Sequence, residues 1–333
     1  MERIILHVDV NNAFLSWSAV WLLKNGYEKD IRNRYAIIAG DETQRRGIVL
    51  AKSNLCKKKG VKTAEAIYLA RKKCPYLEIY PPRYDVYKKF SDMMYKYLCN
   101  YTNIIERYSI DECFLDYTGS VKLFGDPVKV AYKIKDEIYR KFGFTVNVGV
   151  GNNKLLAKMA SDFEKPNKVH TLFSNEVETK MFPLPIDDLF MTGRATAKKL
   201  REMGITTIGE LARVPVEELT KKFKSMGKML HDYANGIDNS EVMYEREQAK
   251  SISNSTVLPY NYRDSGMIKN VISDLSKEIG KKLRDNKLYA DTIGIWFKYT
   301  YFDKISKQVK LDNSIANDEE IAGKAFSIFN ELW

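Results

Sequence analysis

Residues 4–14 read Ile-Ile-Leu-His-Val-Asp-Val-Asn-Asn-Ala-Phe, an apolar run that leads into a carboxylate and an aromatic side chain. The run through Val10 favours a buried strand. Asp9 would then lie among apolar neighbours, where a carboxylate rarely stays unless it is paired or binds a cation. Taken alone, an Asp after a strand is most often an edge residue, so its meaning depends on the rest of the chain.

A second acidic run, Tyr-Ser-Ile-Asp-Glu-Cys-Phe-Leu-Asp, covers residues 108–116. Segments 104–108 and 113–117 predict the strands of a hairpin, with Asp111 and Glu112 near its bend. A solvated turn is the plainer interpretation of that pair. Hard cations such as Mg²⁺ take oxygen ligands, however, and two such ions close together serve phosphoryl transfer. Asp9, Asp111 and Glu112 are therefore candidate metal ligands.

The composition excludes several classes of protein. The chain has 333 residues, 44% of them hydrophobic, which is enough for several cores and too long for one ordinary domain. It contains no apolar stretch that could span a membrane, and its first residues do not resemble a signal peptide. The four cysteines are widely spaced and only three histidines are present, which argues against a zinc site and favours a reducing cytoplasm.

The positive charge is concentrated in one segment. Residues 13–79 hold 14 Lys and Arg against 6 Asp and Glu, so 8 of the 11 net positive charges lie there. Such an excess indicates a polyanionic partner. A solvated basic face is the alternative interpretation.

The order of predicted elements indicates an α+β fold. Residues 4–171 alternate strand and helix patterns in a βαββαβ-like order, which predicts a ferredoxin-like sheet backed by helices. Residues 172–237 switch to helical patterns, and the acid-rich residues 238–247 predict an exposed tether. Beyond Lys250, strand and helix patterns return, beginning with a strand over 252–257.

Three ordered motifs resemble the Y-family, or translesion, DNA polymerases, and within them the DNA polymerase IV branch. Residues 109–116 resemble the family's Ser-Ile-Asp-Glu-Ala-Tyr-Leu-Asp signature, and residues 9–14 resemble its N-terminal metal site and sugar gate. The block from 148 to 158, followed by Lys165-Pro166-Asn167, matches a third motif in order and spacing. Any one of these motifs alone is a weak signal, whereas the ordered set is specific.

The resemblance implies a multidomain right-hand polymerase with a ferredoxin-like palm, small fingers, a helical thumb with a helix-hairpin-helix, and an α+β little finger. The implied boundaries are palm 1–12 and 80–171, fingers 13–79, thumb 172–237, linker 238–249 and little finger 250–333. The usual last strand of the little finger has no counterpart before Trp333.

The resemblance also implies template-directed DNA synthesis of the low-fidelity, translesion type. Two Mg²⁺ ions, with Mn²⁺ as a substitute, would serve the attack of the primer 3′-hydroxyl on the nucleotide α-phosphorus. Asp9 and Asp111 would bridge both ions, Glu112 would bind the primer-side ion, and the Val10 carbonyl would complete the nucleotide-side shell. Phe14 would lie against the deoxyribose, where a 2′-hydroxyl would clash with it.

The triphosphate contacts depart from the family pattern. Lys165 matches the family's triphosphate-binding Lys, but Asn54 and Lys57 stand where the fingers usually carry Tyr and Arg. Asn54 still offers a hydrogen-bond donor, and Lys57 is a point charge in place of a bidentate fork. Three neighbours would compensate by charge: Lys58, Lys52 or Arg46.

The thumb motif would grip a DNA phosphate through backbone N–H groups without reading sequence. The residues implied are Gly193, Arg194, Thr196, Lys198 and Lys199. Met191 replaces the first usual glycine of the hairpin, and an ordinary helical hairpin is the alternative. We expect primer-template DNA and deoxynucleoside triphosphates as ligands, no membrane, a monomer in the bacterial cytoplasm, and a sliding clamp bound through a C-terminal segment beyond this sequence.

Two other classes of protein remain open. A palm-fold nucleotidyl cyclase also carries acids on a hairpin, but it needs neither basic fingers nor a helix-hairpin-helix. A catalytically weak or silent DNA-binding relative would fit the altered fingers, whereas the presence of all three acids argues against it.

Overall fold

The computed structural model describes residues 2–41, 47–244, 249–301 and 303–333. The chain divides into two compact units, one of residues 2–40 and 48–244, and the other chiefly of residues 249–333. None of the helices in the described ranges is long and apolar enough to cross a membrane. Arg46, one of the lysine and arginine side chains suggested to compensate for Lys57, lies outside the described residues.

The strands are β1 (Ile5–Val10), β2 (Ala36–Ala39), β3 (Val49–Lys52), β4 (Glu78–Tyr80), β5 (Ile105–Arg107), β6 (Glu112–Asp116), β7 (Val146–Gly151), β8 (Val169–Leu172), β9 (Ala290–Lys298) and β10 (Lys304–Ile315). The α-helices are α1 (Ala13–Lys24), α2 (Asn54–Lys58), α3 (Ile67–Lys73), α4 (Tyr84–Leu98), α5 (Val121–Phe124), α6 (Pro127–Phe142), α7 (Lys154–Asp162), α8 (Arg194–Arg201), α9 (Ile208–Ala212), α10 (Val216–Phe223), α11 (Ser225–Ala234), α12 (Ser265–Asp285) and α13 (Asp318–Leu332).

The first unit is built on a five-stranded sheet in the order β5-β6-β1-β7-β8. Strand β1 is buried along its whole length between antiparallel neighbours β6 and β7. Because side chains alternate along a strand, its two faces have different roles. Leu6, Val8 and Val10 join the core with α4 and α6, whereas Ile5 packs with Ala157 of α7 on the other face. Asp9 shares the α7 face.

Local signals explain the helices of this layer. Asp126 caps α6 by accepting a hydrogen bond from the Lys129 N–H at 2.8 Å, and Pro127 occupies the first turn. Helix α7 packs very closely on β7. Gly149 permits this packing, because any side chain at that position would overlap the carbonyl oxygen of Ala157. This close approach brings the C-terminal end of α7 beside β1.

A smaller layer follows α1. Its sheet has the order β3-β2-β4, with β2 antiparallel to β3 and parallel to β4. The core beneath it is formed by small and β-branched residues that include Ile37, Val49, Cys56 and Ala70. Helix α2 begins after Ser53, whose hydroxyl accepts from the Cys56 N–H at 3.2 Å.

The helical segment α8 to α11 packs around a core of chiefly leucine and isoleucine side chains, which it shares with α7 and β8. A short 3₁₀ helix, Ile186–Asp188, precedes α8. Thr207 and Glu210 form a reciprocal capping box at the start of α9. The predicted change to helical patterns is therefore present in the structure.

The second unit contains the antiparallel pair β9 and β10, with α12 and α13 packed beside it. The predicted strand over 252–257 is wrong, because these residues form no strand. Only Ile252 of this segment packs on the core, and Val257 is 52% exposed. Without an alternating row of buried side chains, nothing holds the segment in register with a sheet.

Most of residues 238–244 are exposed, as predicted for a tether, but the segment is held on the first unit by the buried side chain of Val242. Val242 is only 4% exposed and packs on Ile5, Phe114 and Ala157. The Met243 N–H donates to Glu106 Oε2 at 2.8 Å. Residues 238–244 therefore belong to the first unit, because the Val242 side chain is buried there. The acid-rich composition of the segment does not predict this contact. Residues 245–248 lie outside the described ranges.

Candidate active site

Asp9 lies in the middle of the sheet, directly opposite Glu112 on β6 and Asn147 on β7. Its side chain is only 7% exposed. Burial raises the pKa of Asp9 to about 6, the ammonium of Lys165 acts in the opposite direction, and the charges of Glu112 and Asp111 raise it further. Because the charges of Glu112 and Asp111 act on Asp9, the three predicted acids form one electrostatic cluster.

Backbone pairing holds the second acidic motif beside the first. The Val10 N–H donates to the carbonyl oxygen of Asp111 at 3.1 Å. Asp111 precedes β6, and its carboxylate accepts a hydrogen bond from the Ser109 hydroxyl at 2.7 Å. Glu112 is the first residue of β6. The hairpin and the position of both acids near its bend are confirmed.

Two lysines hold the acid side chains. The Lys165 ammonium contacts Asp9 Oδ2 and lies 2.7 Å from Asp162 Oδ1. Lys165 is partly buried, which disfavours its charge, but Asp9 and Asp162 outweigh this and raise its pKa. The Lys158 ammonium lies 2.7 Å from Glu112 Oε1. Each lysine therefore neutralises one member of the acid cluster.

Lys158 is a site residue that the sequence interpretation missed. It is 9% exposed, and its ammonium lies 5.4 Å from the ring centroid of Tyr108 and 5.3 Å from that of Phe190. A buried lysine needs a carboxylate or aromatic partner. Lys158 is the last residue of the motif at 148–158 and lies on the buried face of α7, but neither signal reveals its partner.

The donor set fits a divalent cation in chemistry and in backbone placement. Asp9, Asp111 and Glu112 supply hard oxygen atoms, and a cation beside Asp9 would offset its burial and the nearby charges of Glu112 and Asp111, which together raise the pKa of Asp9. As the side chains stand, no group of three His, Cys, Asp or Glu residues in the described ranges is arranged to hold a metal ion. Asp9 and Glu112 would have to turn from their lysines to bind one.

Phe14 lies at the start of α1, five residues after Asp9, and aromatic rings hold it in place. Its ring stacks on Tyr87 with centroids 4.5 Å apart and planes 10° from parallel. Tyr84 meets it edge-on at 5.9 Å. Tyr87 is buried, and its hydroxyl lies 2.8 Å from the Ser18 hydroxyl. A ring held on one side in this way presents a fixed surface rather than a mobile one.

Asn54 and Lys57 are exposed on α2, in the smaller layer. Lys58 is exposed beside them, and Lys52 donates to the Thr63 hydroxyl at 2.8 Å. The Asn12 amide donates to the Lys52 carbonyl oxygen at 2.8 Å and so ties this layer to the end of β1. Asn54 and Lys57 thus lie on a different layer from the lysines that contact the acids.

The predicted phosphate-binding hairpin has an exposed basic surface. Gly193 is the N-cap of α8, and Arg194, Lys198 and Lys199 are exposed. Thr196 is partly buried. Met191 has a φ of 68°, a left-handed conformation that favours glycine. The glycine missing from the motif therefore leaves a non-glycine residue in a strained turn.

Comparison with protein families covers most of the chain. Residues 8–162 match the impB/mucB/samB family, and residues 249–333 match the C-terminal domain of the same family. Residues 187–238 match the thumb domain described for DNA polymerase iota.

The chain is also similar to individual proteins and solved structures. It is 46% identical to DNA polymerase IV of Clostridium acetobutylicum over all of this chain and 84% of that protein. It is 35% identical to DNA polymerase IV 2 of Bacillus subtilis over all of this chain and 81% of that protein. A Y-family DNA polymerase chimera matches with a TM-score of 0.85 and 28% identity, over 99% of this chain and 93% of the other. The insertion ternary complex of Dbh DNA polymerase matches with a TM-score of 0.67 and 26% identity, over the same shares.

Proposed function

Since the chain belongs to the Y family of DNA polymerases, we propose that Asp9, Asp111 and Glu112 are the ligands of two Mg²⁺ ions in its active site. The enzyme carries out template-directed DNA synthesis of the translesion type. The observation that supports the site is the cluster of acids itself, with buried Asp9 opposite Glu112 and bound through Val10 to Asp111. Primer extension with Mg²⁺, compared with extension after the metal is chelated, tests the assignment.

Each proposed metal ligand has a separate role in the reaction. When bound, the metal ions lower the pKa of the primer 3′-hydroxyl and neutralise the leaving pyrophosphate. In this proposal Asp9 and Asp111 would hold both ions, Glu112 would hold the ion on the primer side, and the Val10 carbonyl would hold the ion on the nucleotide side. Mn²⁺ would substitute for Mg²⁺, because it takes the same oxygen ligands.

Lys165 is proposed to bind the nucleotide triphosphate. Its ammonium already lies against Asp9, so a triphosphate carried to the acids would meet it without a large movement. The paired lysines also keep the acid cluster neutralised until substrate arrives. Phe14, held by Tyr87 and Tyr84, is proposed to contact the sugar of the incoming nucleotide.

The DNA contacts are proposed from charge and helix geometry. Residues 13–79 supply most of the net charge of +11 and would form the fingers, while 1–12 and 80–171 would form the palm. The α8 end that includes Gly193 and Arg194 would grip a backbone phosphate within a thumb of residues 172–237. Residues 238–249 would be the linker and 250–333 the little finger. A sliding-clamp partner and a monomeric state stay predictions.

We expect DNA affinity to fall steeply with salt and to be nearly independent of sequence. Each phosphate neutralised by Lys or Arg adds about 0.9 to the slope of log affinity against log salt for duplex DNA. Fluorescence anisotropy with two unrelated primer-templates across a salt series measures both properties. A flat titration, or a strong preference for one of the two sequences, would contradict the proposed phosphate contacts.

We expect the double substitution Asn54→Tyr with Lys57→Arg to tighten nucleotide binding by about tenfold to a hundredfold. The change adds an aromatic hydroxyl and a bidentate guanidinium, and a charge-assisted hydrogen bond is worth roughly 1.5–3 kcal/mol. Single-turnover extension over a range of nucleotide concentrations gives the dissociation constant. Lys59→Arg, at the exposed C-cap of the same helix, is the matched control.

Should the double variant bind nucleotide no more tightly than the parent protein, other residues must hold the phosphates. The assignment of Asn54 and Lys57 to the nucleotide would then be wrong, while the acid cluster would be unaffected.

A further inference from the structure

The loop that carries Lys165 is held by two buried asparagine side chains that the motifs do not explain. Asn147 is fully buried on β7, directly opposite Asp9. Asn11 is nearly buried and lies two residues after Asp9, so it shares the face of the sheet that α7 covers. The Asn11 amide nitrogen donates to Asn147 Oδ1 at 3.0 Å.

Asn147 sets the exit of the chain from α7. Its amide nitrogen donates to the carbonyl oxygens of Ser161 at 2.9 Å and Glu164 at 2.6 Å. The last carbonyl groups of a helix lack partners within it, and burying one without a partner is costly. Ser161 lies in the last turn of α7 and Glu164 lies just after its end, so these two bonds fix the path of the chain from the helix to Lys165.

The same pair of side chains holds the far side of the loop. The Lys168 N–H donates to Asn147 Oδ1 at 3.2 Å, and the Asn167 N–H donates to Asn11 Oδ1 at 2.8 Å. Backbone groups at Glu164, Asn167 and Lys168 are thus fixed by two side chains, with Lys165 between them. Asn147 itself is fully buried, so water cannot readily replace the bonds that its side chain makes.

We propose that Asn147, together with Asn11, is a positioning residue that holds Lys165 in place for the incoming nucleotide. The inference rests on the proposed role of Lys165 at the triphosphate. Neither asparagine reaches the substrate in this account, since each acts through the backbone of residues 164–168. Loss of the network would let Lys165 leave Asp9 and would weaken nucleotide binding more than turnover, without altering the DNA-binding surface.

The test is a double-mutant cycle on the whole chain. Asn147→Leu keeps the number and branching of the side-chain heavy atoms and removes all four hydrogen bonds, and Lys165→Met removes the ammonium. We expect each single variant to raise the nucleotide KM by about tenfold, with kcat changed less and the dissociation constant for primer-template unaltered. The double variant should show the same KM as Lys165→Met alone, because both changes remove one interaction.

Asn153→Ala is the matched control, since it alters the same residue type at the opposite end of α7. Asn153 caps that helix by accepting from the Leu156 N–H at 2.8 Å. We expect it to lower the melting temperature and to leave the nucleotide KM unchanged. If Asn147→Leu does not fold, Asn11→Ala takes its place in the cycle under the same criteria.

The outcomes separate this inference from the proposed function. An unchanged KM in Lys165→Met would refute the role of Lys165 itself and the positioning role with it. An elevated KM in Lys165→Met but not in Asn147→Leu, or effects that add in the double variant, would overturn the positioning role alone. An elevated KM in Asn153→Ala would show that any loosening of α7 has this effect, which also overturns it.

Discussion

Asp111→Ala is expected to reduce primer extension by about a thousandfold or more, which corresponds to roughly 4 kcal/mol of lost transition-state stabilisation. Asp9→Ala and Glu112→Ala are expected to have effects of the same order. The reason is that all three acids belong to one charged cluster, so the loss of any one leaves an incomplete shell of oxygen donors. Primer extension under single-turnover conditions with Mg²⁺ measures the effect.

DNA binding should survive these substitutions, because the acids lie on the central sheet and the proposed phosphate contacts lie on other elements. Asp116→Asn is the matched control, at the other end of β6 from Glu112. Asp116 lies 3.6 Å from the Arg3 guanidinium, and we expect extension by its variant to stay close to the parent rate. Near-normal extension by Asp111→Ala would show that the metal ligands have been misassigned.

Phe14→Ala is expected to lower discrimination against ribonucleotides by roughly a hundredfold, equivalent to about 2.7 kcal/mol. Discrimination by clash requires a side chain that cannot move aside. The stack on Tyr87 and the edge contact with Tyr84 supply that resistance. The ratio of kcat/KM for a deoxynucleotide to that for the matching ribonucleotide is the measurement.

Phe90→Leu separates the sugar contact from general loosening of the aromatic core. Phe90 belongs to the same cluster and lies beside Trp17 and Phe144, but it does not contact Phe14 among the ring pairs of the described residues. We expect this variant to be less stable and to keep its discrimination. A Phe14→Ala protein that rejects ribonucleotides as well as the parent does would rule out the sugar-gate role.

The sequence predicted well those structural elements that depend on a short stretch of chain. The central strand at Ile5–Val10, the hairpin beside Asp111 and the capping of α6 by Asp126 all follow from local patterns. Local patterns determine these elements because hydrophobic period, turn residues and caps act over a few positions. The segment 252–257 shows the limit, since an apolar residue at each end was not enough to form a strand.

The amino-acid sequence by itself determined the family and the α+β class and predicted the three acids as metal ligands, because each depends on residue types at fixed spacing. Only the tertiary structure decided that Lys158 lies beside Glu112, that Asn147 lies opposite Asp9, and that Val242 packs on Ile5. These contacts join segments far apart in the chain. Strand register and the close packing of α7 on β7 create them, and neither leaves a periodic signal in the residues concerned.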